Sequence, residues 1–179
     1  DSSLFEVHLF DLGKVDDPET MVAKQHCESY IQGKLNLQQW SKVIVDKNIE
    51  ALFYPEIGMD PLTRELASLK LAPIQLASWG HPETTGLTTI DYFVSAQDLE
   101  PDTVAQYYSE TLIRLPNLGC YIEHSKTRPS NISLEELGFS SAYTILLCPG
   151  SPSKYSPDND SVLVEIAKKL GQCQFVFFD

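Results

Sequence analysis

The chain has 179 residues, 42% hydrophobic and 21% charged, with a net charge of −12. This is the composition of an ordinary globular protein, with enough apolar material for a core across one domain or one and a half. The acidic field repels phosphate backbones and argues against nucleic acid as a partner, and no stretch approaches the roughly 18 apolar residues of a membrane span.

The first apolar run, Phe5 to Phe10, predicts a strand. Asp16-Asp17-Pro18-Glu19 carries acids and a proline where a helix begins, and predicts a helix from about Glu19 to Tyr30. Asn36 is a candidate cap for a second helix, in which Leu37, Trp40, Val43 and Ile44 share one face. Ala51 to Tyr54 reads as a buried strand, and Asp60-Pro61 as the cap and first position of a helix ending near Leu71. Strands follow at Ile74 to Ser78 and Tyr92 to Ser95. Glu100-Pro101-Asp102 opens a short helix bearing Val104 and Tyr107, with Tyr107 and Tyr108 read as packing residues. Leu112 to Leu115 is a further short apolar run closed by Pro116. Strands alternating with helices imply a parallel sheet with helices on its faces.

The texture changes after Pro116. Ser125 to Ser133 is polar, contains proline and has no apolar period, as in a linker. A second α/β unit follows: a strand at Tyr143 to Cys148, a loop from Pro149 to Pro157, an amphipathic helix at Ser161 to Leu170 closed by Gly171, and a strand at Phe175 to Phe178. A strand at each extremity gives the sequence the look of a truncated piece. Asp1-Ser2-Ser3 has neither the basic nor the apolar region of a signal peptide. Four scattered cysteines, Cys27, Cys120, Cys148 and Cys173, have no metal-type spacing. Together these features predict reduced thiols and a cytoplasmic location.

Chemistry-bearing residues gather in loops that follow strands. There is no GxGxxG after the first strand, no GxxxxGK[ST], no GxSxG and no HExxH. Tyr54-Pro55-Glu56-Ile57-Gly58-Met59-Asp60-Pro61 follows one strand, and Trp79-Gly80-His81-Pro82-Glu83-Thr84-Thr85-Gly86 follows another. In open α/β sheets, ligands bind outside the carboxyl ends of the strands. The same Gly and Pro residues also serve simply to shape turns. A Thr-Thr-Gly turn beside His81 can offer N–H groups and hydroxyls to an anion. Glu56 is a candidate base or ligand contact, whereas helix capping alone accounts for Asp60. A lysine placed like Lys154, in the loop after the Tyr143 to Cys148 strand, can neutralise a diphosphate leaving group; a solvated loop lysine is by itself the commoner case. The histidines are too widely spaced to suggest a metal site.

Phe5-Glu6-Val7-His8-Leu9-Phe10, the Pro-Glu-Ile-Gly-Met-Asp loop, Leu71-Ala72-Pro73-Ile74-Gln75 and the Trp79 to Gly86 run occur in that order, followed by Ile90-Asp91-Tyr92, Tyr108-Ser109-Glu110 and Leu115-Pro116. In this order they resemble the catalytic region of the O-linked N-acetylglucosamine transferases, particularly their bacterial relatives linked to tetratricopeptide repeats. The resemblance spans essentially the whole chain. It implies a GT-B architecture: residues 1–116 as a Rossmann-like N-terminal catalytic lobe lacking its first strand, 117–141 as the inter-lobe connection, and 142–179 as the opening of a C-terminal lobe that binds a UDP-sugar.

The implied activity is that of a fragment of an inverting protein glycosyltransferase, inactive alone. The complete enzyme would move a sugar, typically N-acetylglucosamine, from a UDP-sugar to Ser or Thr (in some relatives Asn) of an acceptor protein. No metal or other cofactor is implied. Lys154 matches the family lysine at the UDP diphosphate, and the His81 loop matches the N-lobe loop facing the cleft. Lys154 and His81 are thus the expected catalytic residues, with Ser151, Glu56, Gly80, Thr84 and Thr85 as substrate-binding residues. Two departures stand out: Ser151 replaces a frequent glutamine, and eukaryotic members have Tyr where His81 stands. The first N-lobe strand with its histidine, the uridine contacts beyond Asp179, and the repeats are all expected outside this sequence. Open strand edges predict self-association of the chain. The rival reading is a non-catalytic α/β binding or scaffold domain.

Overall fold

The computed structural model describes residues 4–81, 83–122 and 130–178. The chain divides into two compact units, Asp1–Glu123 and His124–Asp179. Most of the expected Ser125 to Ser133 linker lies outside the described residues; residues 130–133 are exposed and irregular.

In the first unit, β1 (His8–Asp11) pairs in parallel with β2 (Ser29–Gln32), and α1 (Pro18–Gln25) connects them. Asp17 caps α1, its carboxylate accepting the Thr20 N–H at 2.8 Å. The expected continuation of α1 to Tyr30 is not what forms. The helix stops at Gln25, and Tyr30 and Ile31, residues of high strand propensity, enter β2. Tertiary partners decide the matter: the Tyr30 hydroxyl donates to Asp11 at 2.5 Å, and Ile31 packs on the core.

α2 (Leu37–Asp46) begins at an Asn36 capping box, with Gln39 N–H to Asn36 Oδ1 at 2.9 Å and Asn36 N–H to Gln39 Oε1 at 3.0 Å. It buries Trp40 and Ile44 completely or nearly so. β3 (Ala51–Tyr54), β4 (Ile74–Ser78), β5 (Tyr92–Ala96) and β6 (Thr111–Leu115) form one parallel sheet in that order. α3 (Pro61–Ala67), capped by Asp60, joins β3 to β4. It ends four residues before the expected Leu71. There the buried Gln75 side chain accepts the Leu71 N–H at 3.0 Å, drawing the chain out of the helix. Gln75 Nε2 donates to the Thr89 carbonyl at 3.0 Å and to the Ala67 carbonyl at 3.4 Å, so this buried amide ties together the end of α3, the Leu71 turn and the Thr89 segment.

The core gathers Trp40, Ile44, Leu52, Tyr54, Leu66, Ala77 and Phe93, with Phe10 edge-on to Trp40 at 6.4 Å between ring centroids. The short helix expected after Glu100 is a single 3₁₀ turn, Val104–Tyr107. Tyr107 is 70% exposed and packs on nothing in the core, contrary to expectation. Tyr108 does pack, 4.8 Å from Phe93, and its hydroxyl donates to Glu100 at 2.7 Å.

In the second unit, β7 (Thr144–Cys148) and β8 (Cys173–Phe177) form a two-stranded parallel sheet joined by α4 (Asp160–Leu170). Gly171, at φ +78°, closes α4 as the sequence predicts. No described residue of this unit is buried. The parallel α/β class expected from the alternation of elements is the class that forms.

Candidate functional site

The loops after β3 and β4 leave neighbouring parallel strands at their carboxyl ends, because Tyr54 and Ala77 are register partners. They are interlocked by two glycines. A Cβ at Gly80 would collide with the Pro55 carbonyl oxygen and come within 3.5 Å of the Glu56 α-carbon. A Cβ at Gly58 would stand 2.8 Å from His81 Cδ2, and Gly58 adopts φ +98°, a region that side chains disfavour. Glu56, Gly80 and His81 therefore share one rim. The His81 side chain is 38% exposed, with Nε2 3.9 Å from the Glu83 carboxylate. The Tyr54 hydroxyl, at the end of β3, is buried without a hydrogen-bond partner among the described residues, and burial pushes its pKa up.

Thr84 and Thr85 do meet an anion, and it is internal. Glu110, 6% exposed, lies immediately before β6. Its Oε2 accepts the Thr84 hydroxyl at 2.6 Å, and its Oε1 accepts the Thr85 N–H at 2.8 Å together with the Thr85 hydroxyl. Ser109 N–H donates to Thr84 Oγ1 at 3.1 Å, and Leu87 N–H to Thr85 Oγ1 at 3.1 Å. Burial pushes the Glu110 pKa up, but these hydrogen bonds outweigh it and hold the carboxyl below the ordinary glutamate value. In the sequence Glu110 figures only within the Tyr108-Ser109-Glu110 run of the resemblance and has no assigned role, because its partners lie 25 and 26 positions away.

The second unit has its own strand-end loop. Lys154 sits in a 3₁₀ turn, Pro152–Lys154, beyond the carboxyl end of β7. Its backbone N–H donates to the Ser151 carbonyl at 2.9 Å, and Ser151 Oγ lies 3.1 Å from Ser153 Oγ. The Tyr155 hydroxyl accepts the Gly150 N–H at 3.0 Å, and the Tyr155 ring stands edge-on to Phe177, closing the loop over the strand end. Lys154 is exposed and has no ion-pair partner among the described residues.

This parallel α/β arrangement is shared with a solved glycosyltransferase. The fold matches a mutant of the O-GlcNAc transferase of Thermobaculum terrenum at a TM-score of 0.82 and 17% identity, covering 99% of this chain and 33% of that one. No protein-family model matches the chain. Curated proteins match parts of it. The probable UDP-N-acetylglucosamine–peptide N-acetylglucosaminyltransferase SEC of Arabidopsis thaliana is 44% identical over 121 residues, 65% of this chain and 12% of that protein. The UDP-glucose:protein N-beta-glucosyltransferase of Actinobacillus pleuropneumoniae serotype 5b is 40% identical over 81 residues, 44% of this chain and 12% of that protein. The UDP-N-acetylglucosamine–peptide N-acetylglucosaminyltransferase of Giardia intestinalis is 36% identical over 77 residues, 42% of this chain and 5% of that protein. The chain is a partial relative of these UDP-sugar-dependent protein glycosyltransferases, spanning a small fraction of their length.

Proposed function

We propose that these residues are part of the catalytic region of an inverting protein glycosyltransferase that takes its sugar, typically N-acetylglucosamine, from a UDP-sugar. The single observation that carries this reading is the exposed Lys154, without an ion-pair partner among the described residues, at the carboxyl end of β7, in a chain whose sequence relatives are named for UDP-sugar transfer. Ligands of open α/β sheets bind at such ends.

In this proposal an acceptor hydroxyl of Ser or Thr attacks the anomeric carbon, the bond to the UDP oxygen breaks, and the hydroxyl proton is given up to solvent. The charge developing on the diphosphate is met by Lys154, with Ser151 beside it. A fixed charge aimed at a developing anion is worth about 3–4 kcal/mol. His81, Glu56 and Gly80 form the rim on the N-terminal lobe, and Thr84 and Thr85 serve it through the loop they shape. No metal ion takes part. The active form is the full-length polypeptide, in which tetratricopeptide repeats present the acceptor; a cytoplasmic location and self-association through open strand edges belong to the same reading.

The test is titration of UDP against the full-length polypeptide containing these residues, followed by transfer of labelled N-acetylglucosamine from its UDP donor to protein. Saturable UDP binding and labelled acceptor are expected. Absence of both would favour a non-catalytic scaffold, a reading to which Ser151 in place of the family's frequent glutamine lends some weight.

A further inference from the structure

The β4–β5 connection, residues 79–91, forms turns and no helix among its described residues. A parallel crossover ordinarily runs through a helix, whose own hydrogen bonds fix its path. Here the path must be fixed in another way. Its first part, Trp79 to His81, lies at the rim against Pro55 and Gly58. Its last part, Thr89 to Asp91, is tied down at the other end of the sheet. The Thr89 hydroxyl donates to the Ala67 carbonyl at 2.5 Å, and Asp91 Oδ2 takes the Gln75 N–H at 2.7 Å and Lys70 Nζ at 2.5 Å. The stretch between is held by the Glu110 carboxylate.

We propose that Glu110 is a positioning residue for the His81 loop, setting the geometry of the N-lobe rim without touching substrate. This rests on the glycosyltransferase reading above. Three donors converge on one nearly buried carboxylate, two of them on the same oxygen. The two threonine hydroxyls are also acceptors, for Ser109 N–H and Leu87 N–H, and Thr84 Oγ1 lies 2.9 Å from Ser109 Oγ as well, so the network joins three loops' polar groups around the carboxylate. Such a network has one arrangement in which every member is satisfied. Removing the carboxylate orphans the Thr85 N–H and hydroxyl, leaves the Thr84 hydroxyl only Ser109 Oγ at 2.9 Å, and releases the Thr84-Thr85 anchor of the loop.

Glutamine at this position keeps the shape and one carbonyl acceptor, and its amide can donate to a rotated hydroxyl. The ranking wild type, Glu110→Gln, Glu110→Ala is therefore expected for turnover. Misplacing a catalytic group by about 1 Å costs up to roughly a hundredfold in rate. A loss of that order is expected for Glu110→Ala, and a smaller one for Glu110→Gln.

The experiment measures kcat, UDP affinity and amide exchange of Thr85 in the full-length polypeptide, for wild type, both Glu110 variants and Thr85→Val. The donor is assigned to the other unit, so UDP affinity should hold while kcat falls and the Thr85 amide loses protection. Combining Glu110→Gln with Thr85→Val should cost less than the sum of the two, because both break one network. Wild-type kcat in Glu110→Ala, with the Thr85 amide already deprotected, would overturn the positioning role and leave the glycosyltransferase reading intact. Parallel loss of UDP binding and kcat in both Glu110 variants would also overturn it, marking a purely structural carboxylate. A wild-type polypeptide that transfers no sugar would instead remove the reading beneath the proposal.

Discussion

Gly80 stands against the Pro55 carbonyl so closely that there is no room for even one methyl group between the two loops. The contact is backbone to backbone, so no side chain can swing away to relieve it. Gly80→Ala must push the β3 and β4 loops apart. Overpacking of this kind typically costs about 1–3 kcal/mol. Urea denaturation of the chain should show a lowered midpoint with an unchanged slope. A Gly80→Ala protein as stable as wild type would mean that the loops do not meet in this way.

Lys154 presents the opposite case. It is exposed and its side chain has no ion-pair partner among the described residues, so Lys154→Ala should leave the stability of the chain within about 0.5 kcal/mol of wild type. In the full-length polypeptide the same substitution should lower turnover by roughly two to three orders of magnitude, the effect of removing one donor to a developing anion. Steady-state kinetics beside thermal melts would separate the two effects. Near-normal turnover would end the leaving-group assignment.

The Glu110 carboxyl titrates below its ordinary value of 4.5 in the folded chain, because burial is outweighed by the Thr84 and Thr85 hydrogen bonds. A depressed folded pKa means that the folded state prefers the ionised form. The resulting stabilisation is complete above the unfolded value of 4.5 and disappears as the pH falls through the folded value. Asp91, held low chiefly by Lys70, acts in the same direction from 3.8 downward. Wild type should lose stability on acidification below pH 4.5, and Glu110→Gln should lose less over the same interval. Urea midpoints from neutral pH to pH 3 would measure the difference, and parallel curves would show that Glu110 does not titrate with folding.

The second unit supplies the fourth prediction. A two-stranded sheet on a single helix is marginal on its own, and none of its described residues is buried. Leu147, Val162, Phe177 and Phe178 are each at least half exposed. β3 and β6 also leave the four-stranded sheet with open edges among the described residues. Such surfaces promote association. Sedimentation of the 179-residue chain should reveal a species heavier than 20.1 kDa, and addition of mild detergent should dissolve it. A strictly monomeric chain at high concentration would refute the expectation.

What the sequence determined by itself was mostly local. Asn36 and Asp60 announce α2 and α3 because a cap needs only its own side chain and an amide three residues on. The apolar runs at Ala51 to Tyr54 and Ile74 to Ser78 become β3 and β4 with unchanged bounds, but only alternate residues are buried, Leu52 and Tyr54 in β3 and Gln75 and Ala77 in β4, so the expectation of a fully buried strand at Ala51 to Tyr54 does not hold. The glycine-rich loops that end those strands were also visible as candidate rim segments.

The tertiary structure decided whatever depends on distant partners. β2 forms because β1 lies beside it; the same residues without that neighbour continue a helical pattern. α3 stops early because Gln75, eight residues past its end, claims the Leu71 amide. The Thr84-Thr85 turn looked open to a bound anion, and only the fold shows that Glu110 already occupies it. A side chain's type is written in the sequence. Which donors its carboxylate satisfies depends on loop closures of more than twenty residues, and no local preference encodes those.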